Sequence, residues 1–415
     1  MAEAASLPSS AAARGGWTRS YEVRAVAVLS CGFGLVGLDR FIILPLQPAM
    51  MKDLHLGYQD IGVIASAFSV AWGVAALITG RLSDRFGRRA VLIPSILVFS
   101  LLAGASGLAA GLLSLIAVRV LMGLAEGAYT PASIAATTEA SKPTRRGLNL
   151  GIQQNLYAIL GLGLGPVLAT QLLTVLPSWR WVFVAVSIPG LILVVLASRW
   201  LRDTQGSLQS EAVPRSEAGW RELFRHRNVP LAAAGMCCML TSLLVATTLA
   251  PSYLVDVLHL DVGSMGWVLS GLGLGGFVGQ MILPALSDWT GRKPVVIGCY
   301  LGALASLGLF LTAGANPAAL FALLFMFSFF NNSMICLNVG PVTGEAAPAA
   351  LTASATGVVV GVGEALGGGF SPALAGFVAA HYGLVMGLCL ALAGLAVGFV
   401  LSLFLRETRP VRRHA

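Results

Sequence analysis

Charge is what this sequence has least of. Only 11% of its 415 residues are Asp, Glu, Lys or Arg, against about 25% in soluble domains. With 56% hydrophobic residues, a soluble fold of this length has nowhere to hide its apolar surface. Histidine is scarce as well: His55, His259 and His381 fall in short connections, His226 in a polar stretch and His414 in the C-terminal tail. None stands in a nucleophile arrangement, so an enzyme is not expected. The cysteines Cys31, Cys237, Cys238, Cys299, Cys336 and Cys389 lie in apolar runs without metal-ligand spacing. That argues against a disulfide framework or a metal site and leaves them as small core residues. No Gly-x-x-x-x-Gly-Lys-Ser/Thr loop occurs, so direct ATP drive is not expected, and no cofactor is expected either. Residues 1–24 are polar and Ala/Ser-rich, with no small-residue cleavage site before an apolar run too long for a signal-peptide core; a tail and a retained first helix are expected.

What the sequence does have is long apolar runs, near the ~20 residues a helix needs to cross the hydrocarbon layer. They predict an all-α polytopic membrane protein of about twelve helices, near 25–47, 60–80, 91–110, 112–134, 148–173 and 180–198, then 229–252, 264–286, 294–313, 317–340, 351–379 and 384–405. Residues 199–228, rich in Arg and Glu, cannot span. They divide the chain into a tail (1–24), a six-helix domain (25–198), a linker (199–228), a second six-helix domain (229–405) and a second tail (406–415). Of the 26 Lys and Arg residues, Lys52 and Arg180 alone fall outside and Arg40 and Arg119 within spans, if the N-terminus is cytoplasmic. The positive-inside rule then puts the linker and both tails in the cytoplasm. The net charge of +8 follows membrane topology and does not point to nucleic acid. The partners expected are the bilayer, a small solute and protons, with the chain acting as a monomer.

An internal repeat supports the division. At an offset of 204 residues, without a gap, Gly62, Ser66, Val74, Ile78, Leu82, Ser83, Asp84, Gly87, Arg88, Val91 and Ile93 fall on Gly266, Ser270, Val278, Ile282, Leu286, Ser287, Asp288, Gly291, Arg292, Val295 and Ile297. Apolar bias explains some of these identities, but Leu-Ser-Asp-x-x-Gly-Arg in both copies is polar and specific. Helices 2–3 and 8–9 are thus one unit used twice, as in parallel-repeat transport folds.

The loop Gly80-Arg81-Leu82-Ser83-Asp84-Arg85-Phe86-Gly87-Arg88-Arg89, echoed at Leu286-Ser287-Asp288-Trp289-Thr290-Gly291-Arg292-Lys293, resembles the cytoplasmic loop signature of the major facilitator superfamily. The resemblance implies that fold, with transport by alternating access of the two halves. It also implies a gating role for Gly80, Asp84, Arg85, Gly87 and Arg88 and for Asp288, Gly291 and Arg292. Physically, glycine turns the hairpin, and Asp84 stands where it can pair with arginine or meet a helix N-terminus.

Charges inside spans cost about 2.5–3.5 kcal/mol each and face a cavity or a partner. Five stand out: Asp39 and Arg40 in helix 1, Arg119 and Glu126 in helix 4, and Glu364 in helix 11. Asp39, Arg40 and Arg119 come out at a shared depth, about 10 Å below the outer surface. Glu126, two turns after Arg119, is expected on the same cavity-lining face near the midplane. Gly37-Leu38-Asp39-Arg40, Arg119 to Glu126 with its Gly123, Trp179-Arg180-Trp181-Val182-Phe183 and Pro251-Ser252-Tyr253-Leu254 resemble the anion:cation symporter branch. That resemblance implies uptake of a small organic anion with protons, Arg40 and Arg119 binding the anion and Asp39 and Glu126 carrying the proton. An Arg119–Glu126 or Arg40–Asp39 ion pair with a structural role is the competing reading. Glu364 lies outside the branch pattern; a third proton site, a substrate contact and a partner for an arginine all fit it. Among uncharged polar residues, Gln154 and Tyr157 in helix 5 and Asn332 in helix 10 are the candidate substrate contacts, although such side chains also serve as interhelical glue. Gly161-Leu162-Gly163-Leu164-Gly165-Pro166 resembles a drug-exporter motif, which makes proton-coupled efflux the alternative in the same fold; close helix packing explains it equally well. A sensor or scaffold without transport is the rival of another class. The Arg-rich, Ala-rich composition points to a bacterial inner membrane.

Reporter fusions in the 199–228 linker and at the C-terminus should both read cytoplasmic; opposite sides for the two points would break the repeat assignment.

Overall fold

A computed structural model describes residues 18–202, 226–346 and 352–408. Most of the linker and the tips of both tails therefore lie outside the described residues, as do the side-chain surroundings of Gly80 and Asp84. Twelve described helices are long and apolar enough to cross a membrane. Helices 1 to 6 are Arg19–Leu54, Tyr58–Phe86, Arg88–Ser106, Leu112–Ala140, Pro143–Val175 and Trp179–Trp200. Helices 7 to 12 are Asn228–Val257, Val262–Thr290, Arg292–Thr312, Pro317–Val342, Ala355–Tyr382 and Leu384–Leu403.

Each expected span is present, and several run further than hydropathy alone indicates. Helix 1 begins at Arg19 because the Thr18 side chain accepts a hydrogen bond from the Tyr21 amide, satisfying one of the free donors of the first turn. Asn316 does the same for helix 10, with Pro317 at its first position. Asp261 caps helix 8 through the Ser264 amide at 2.9 Å, and its hydrogen bonds to Ser264 hold its carboxyl below the usual carboxylate range. Helices 5, 7, 10 and 11 each contain a wide π-type turn, at 159–164, 253–257, 338–342 and 363–368. Such turns break the regular ladder and recur at functional sites.

The repeat reappears in three dimensions. Gly87 and Gly291 end helices 2 and 8 and start helices 3 and 9, with φ of 94° and 108° and ψ near 150°. That region of backbone space is essentially closed to any residue with a Cβ, which is why glycine stands in both copies. The next residue does the same work in each half. Arg88 donates to Glu139 at 2.9 Å and to Ser83; Arg292 donates to Glu345 at 2.8 Å and to Ser287 at 2.6 Å. Each arginine thus ties the start of its helix to the inner end of helix 4 or helix 10.

The halves meet through glycines and a few polar contacts. A Cβ on Gly62 would strike the Pro372 carbonyl, one on Gly376 the Tyr58 carbonyl, and one on Gly266 the Thr170 side chain. Gly273 of helix 8 lies against the backbone of Leu162 and Gly163. These approaches lie at the ends assigned outside by charge, or near the midplane. Among the described residues, the polar contacts across the seam are Tyr58 to Asp256 at 2.8 Å, the Ala373 amide to Ser66 at 2.9 Å, Ser252 to Met51 at 3.8 Å and Arg40 to Glu364 at 3.5 Å. All are outer or central, so the bundle is sealed toward its outer side.

The cysteines differ from expectation. All six are free, but only Cys299 is buried, while Cys31 and Cys336 are exposed. A thiol is apolar enough to face lipid as readily as core, and hydropathy cannot separate the two.

Gly291→Ala should cost about 1–3 kcal/mol and lower the unfolding temperature in detergent by several degrees, because its Cβ is strained and also meets Glu407. Gly298→Ala, within helix 9 with open space where the Cβ would go, should leave the unfolding temperature unchanged or slightly raised.

Candidate functional site

Helices 1, 2 and 4 bring the predicted charges together. Gly123 and Gly127 let helix 4 ride against the backbone of helix 2 at Phe68 and Trp72, and Gly37 does the same for helix 1 against Tyr157 of helix 5. With no side chains between the backbones, Arg40 and Arg119 reach one narrow cavity of about 40 Å3. Gln47, Ser69, Thr247 and Thr248 give it polar walls, and Ile61, Ile64, Phe68 and Leu244 give it apolar ones. It sits on the outer side of the arginines, beneath the seal formed by Gly62 and Pro372.

The two guanidinium groups are held differently. Arg119 is 2% exposed. One of its terminal nitrogens donates to the Asp39 carbonyl at 2.9 Å, and the Phe183 ring lies 5.6 Å from its carbon. Its Nε and Nη2 have no hydrogen-bond partner. Arg40 is ringed by Phe41, Phe68 and Trp72 at 5.4 to 5.7 Å and donates to Tyr157 Oη at 3.4 Å and to Ser69 Oγ and Glu364 Oε2 at 3.5 Å. The shared depth read from the sequence is thus real, since Arg119 bonds the backbone of the residue next to Arg40.

One carboxylate departs from expectation. Glu126 does not line the cavity: it is fully buried, and both carboxyl oxygens lack a hydrogen-bond partner. The close approach of helix 2 at Gly123 and Gly127 covers the face on which it stands. Asp39 is 3% exposed, with Oδ1 likewise unpartnered. Neither ion pair of the competing structural reading, Arg119–Glu126 or Arg40–Asp39, forms within 4.0 Å among the described residues. Arg40 pairs instead with Glu364, from the opposite half. Of the three roles open to Glu364, partner of an arginine is the one its geometry fills.

The uncharged candidates divide. Tyr157 reaches Arg40, as expected of a residue at the site. Gln154 is exposed, away from the cavity, and its neighbour Gln153 is the buried one, donating to Ser133 at 3.0 Å. Asn332 donates to Ser328 of its own helix and packs on Gly276 of helix 8, so its work is packing. Gly161 lies against the backbone of Gly37 and Gly163 against Gly273; the glycine run in helix 5 serves close helix contact.

The loop for which a gating role is expected makes more contacts than its sequence signature names. Arg88 and Arg292 carry its charge pairs, Asp288 adds a contact to Arg292, and Arg85 stacks over Phe86 at 5.5 Å. Their principal partners, Glu139 and Glu345, were not anticipated. The signal was present in Thr137-Thr138-Glu139-Ala140 and Thr343-Gly344-Glu345-Ala346, a second repeat at an offset of 206 residues. Ser69 was also missed, as a single serine in an apolar helix carries no pattern. Trp179 and Arg180, from the branch-like motif entering helix 6, both bond Asp53 at 3.1 and 2.9 Å and pin outer helix ends well away from the cavity.

Two six-helix halves around buried, cavity-facing arginines define a membrane transporter. The model of the Major Facilitator Superfamily matches residues 29–372, and the chain belongs to that family. It is 28% identical over 403 residues to the hexuronate transporter of Bacillus subtilis (strain 168), covering 90% of this chain and 92% of that one. It is 26% identical over 288 residues to a probable L-galactonate transporter of Escherichia coli (strain K12), covering 66% and 63%. A solved bacterial homologue of the human lysosomal transporter Spinster, inward-facing and unoccupied, superposes with a TM-score of 0.76 at 16% identity, over 94% of this chain and 98% of that one.

Proposed function

We propose that this protein is a proton-coupled symporter that takes up a small organic anion, a carboxylic or sugar acid, across a bacterial inner membrane by alternating access, with both termini in the cytoplasm. The observation that carries the reading is Arg119: a buried cation on a cavity wall, with two nitrogens that have no partner. Burying a charge is costly unless something pairs with it, and an anion entering the cavity supplies the partner. Arg40 offers a second cation on the same wall, and Tyr157 and Ser69 add polar groups around it. The relatives named for hexuronate and L-galactonate point to the same class of solute.

Proton coupling rests on Glu126 and Asp39, with Glu364 third. An ionised carboxylate without partners is too costly to bury, so such a group exchanges a proton with its surroundings. Glu126 meets that description, within electrostatic reach of Asp39, Arg119 and Arg40. Loading the proton changes the net charge that the arginines present to the solute, which links the two bindings. The efflux reading loses its main motif to helix packing, and a scaffold has no use for cations kept on a cavity wall.

Two substitutions test the parts separately. D-Glucuronate should raise the unfolding temperature of the purified protein, and Arg119→Gln should abolish that rise with insertion and expression near normal; binding as tight as wild type would make the arginine structural. Glu126→Gln, fixed in a loaded-like state, should lose accumulation driven by a pH gradient in proteoliposomes yet keep counterflow exchange. Wild-type accumulation would move the coupling site to Asp39 or Glu364, and loss of both activities would indicate a role in holding Arg119.

A further inference from the structure

Arg40 is the cation through which the two halves share charge at the centre, and every contact it makes is long. Its bonds to Tyr157, Ser69 and Glu364 lie at 3.4 to 3.5 Å, whereas a committed arginine–carboxylate pair closes to about 2.7–2.9 Å. The protein makes such pairs elsewhere: Arg88–Glu139 at 2.9 Å and Arg292–Glu345 at 2.8 Å. Those tie helices within one half. Arg40–Glu364 alone among the described ion pairs joins the two halves, and Arg40 also faces the cavity.

Glu364 presents its carboxylate to Arg40 from the opposite half. It lies in the wide turn at 363–368 of helix 11, is 8% exposed, and has Gly73 of helix 2 and Gly368 of its own helix beside it. Gly73 puts no side chain against its Cβ and Gly368 none against its carboxylate. The pair with Arg40 stays long.

We infer that Glu364 is an internal stand-in for the solute: in the empty transporter its carboxylate occupies the position on Arg40 that the carboxylate of an incoming organic anion takes over. This rests on the reading of the chain as an organic-anion transporter and adds to it a residue that sets affinity. One carboxylate replaces another on the same guanidinium, so the charge around Arg40 is kept while the tie between the halves is released. Binding and loosening of the central seam then become one event. A neutral sugar cannot make the exchange, so Glu364 also discriminates against uncharged analogues.

Removing the competitor should tighten binding, which is the opposite of what removing a substrate contact does. D-Glucuronate binding to the purified full-length protein is measured by calorimetry at one fixed pH, with D-glucose as the neutral control. Glu364→Gln is expected to bind D-glucuronate at least tenfold more tightly than wild type, and Arg40→Gln to lose it. Glu364→Asp keeps the charge but draws it back by one methylene; it should tighten binding by a smaller factor and serves as the test if the glutamine variant fails to fold. A purely structural Glu364 would lower the unfolding temperature without raising affinity. Equal or weaker binding by the folded variants overturns the inference and leaves the functional reading standing. A wild-type protein that binds D-glucose but neither D-glucuronate nor L-galactonate, measured in the same way, overturns the functional reading itself, and the inference with it.

Discussion

The constraint on which the rest of the structure depends is the burial of two guanidinium groups in a bundle made almost entirely of apolar side chains. An arginine always carries its charge, and in a low-dielectric interior that charge must be met by dipoles, π-faces or a carboxylate. Arg119 is met by a backbone carbonyl and a phenyl ring, Arg40 by three aromatic rings, two hydroxyls and a carboxylate from across the seam. Apart from the Phe41 ring beside Arg40, none of this compensation exists in helix 1 or helix 4 alone. Helix 5 has to supply Tyr157, helix 2 Ser69 and two of the rings, and helix 11 Glu364. The charges therefore specify which helices are neighbours.

Glycine makes those neighbourhoods short enough. Between membrane helices there is no hydrophobic drive, because lipid is as apolar as leucine, and close backbone approach supplies the attraction instead. Gly123 and Gly127 serve helices 2 and 4, Gly37 and Gly161 helices 1 and 5, and Gly271, Gly275 and Gly279 carry helix 8 along the backbone of helix 10 at Phe321, Phe325 and Phe329. The same device costs Glu126 its view of the cavity, since a helix drawn that close covers what lies beneath it.

Most of the fold was legible in the sequence, because each span must satisfy its own backbone and so writes a long apolar run. The duplicated Leu-Ser-Asp-x-x-Gly-Arg was legible for a similar reason: its glycine answers a local backbone demand, φ near 100°, that no other residue meets well. The charged site was half legible. Rarity marked out Asp39, Arg40, Arg119, Glu126 and Glu364, and helix geometry set their depth. Which charge meets which was not, since pairing across the seam depends on how two bodies dock, and no spacing within either body encodes that. Gln154 and Asn332 show the same limit from another side: along a helix, one position decides whether an amide faces a cavity or a neighbouring turn, and buried Gln153 stands beside exposed Gln154.

The distribution of strong and weak contacts carries a mechanical consequence. Short charged pairs lie within halves, at the inner clamps of Arg88 with Glu139 and Arg292 with Glu345, and at Asp53 with Arg180 on the outer side. Across the seam, the central pair is long, Ser252 meets only a thioether, and the short Tyr58–Asp256 bond is exposed, where water replaces it at little cost. Among the described residues, the one short, partly buried polar contact there is the Ala373 amide–Ser66 bond at 2.9 Å, and it is uncharged. The glycine approaches give surfaces that fit when closed without interlocking side chains. A bundle put together this way has two stiff bodies and a soft joint, with its softest charged contact at the cavity wall. A solute that binds there and prefers one arrangement of the halves shifts their equilibrium by its differential affinity, against little opposing contact energy at that point.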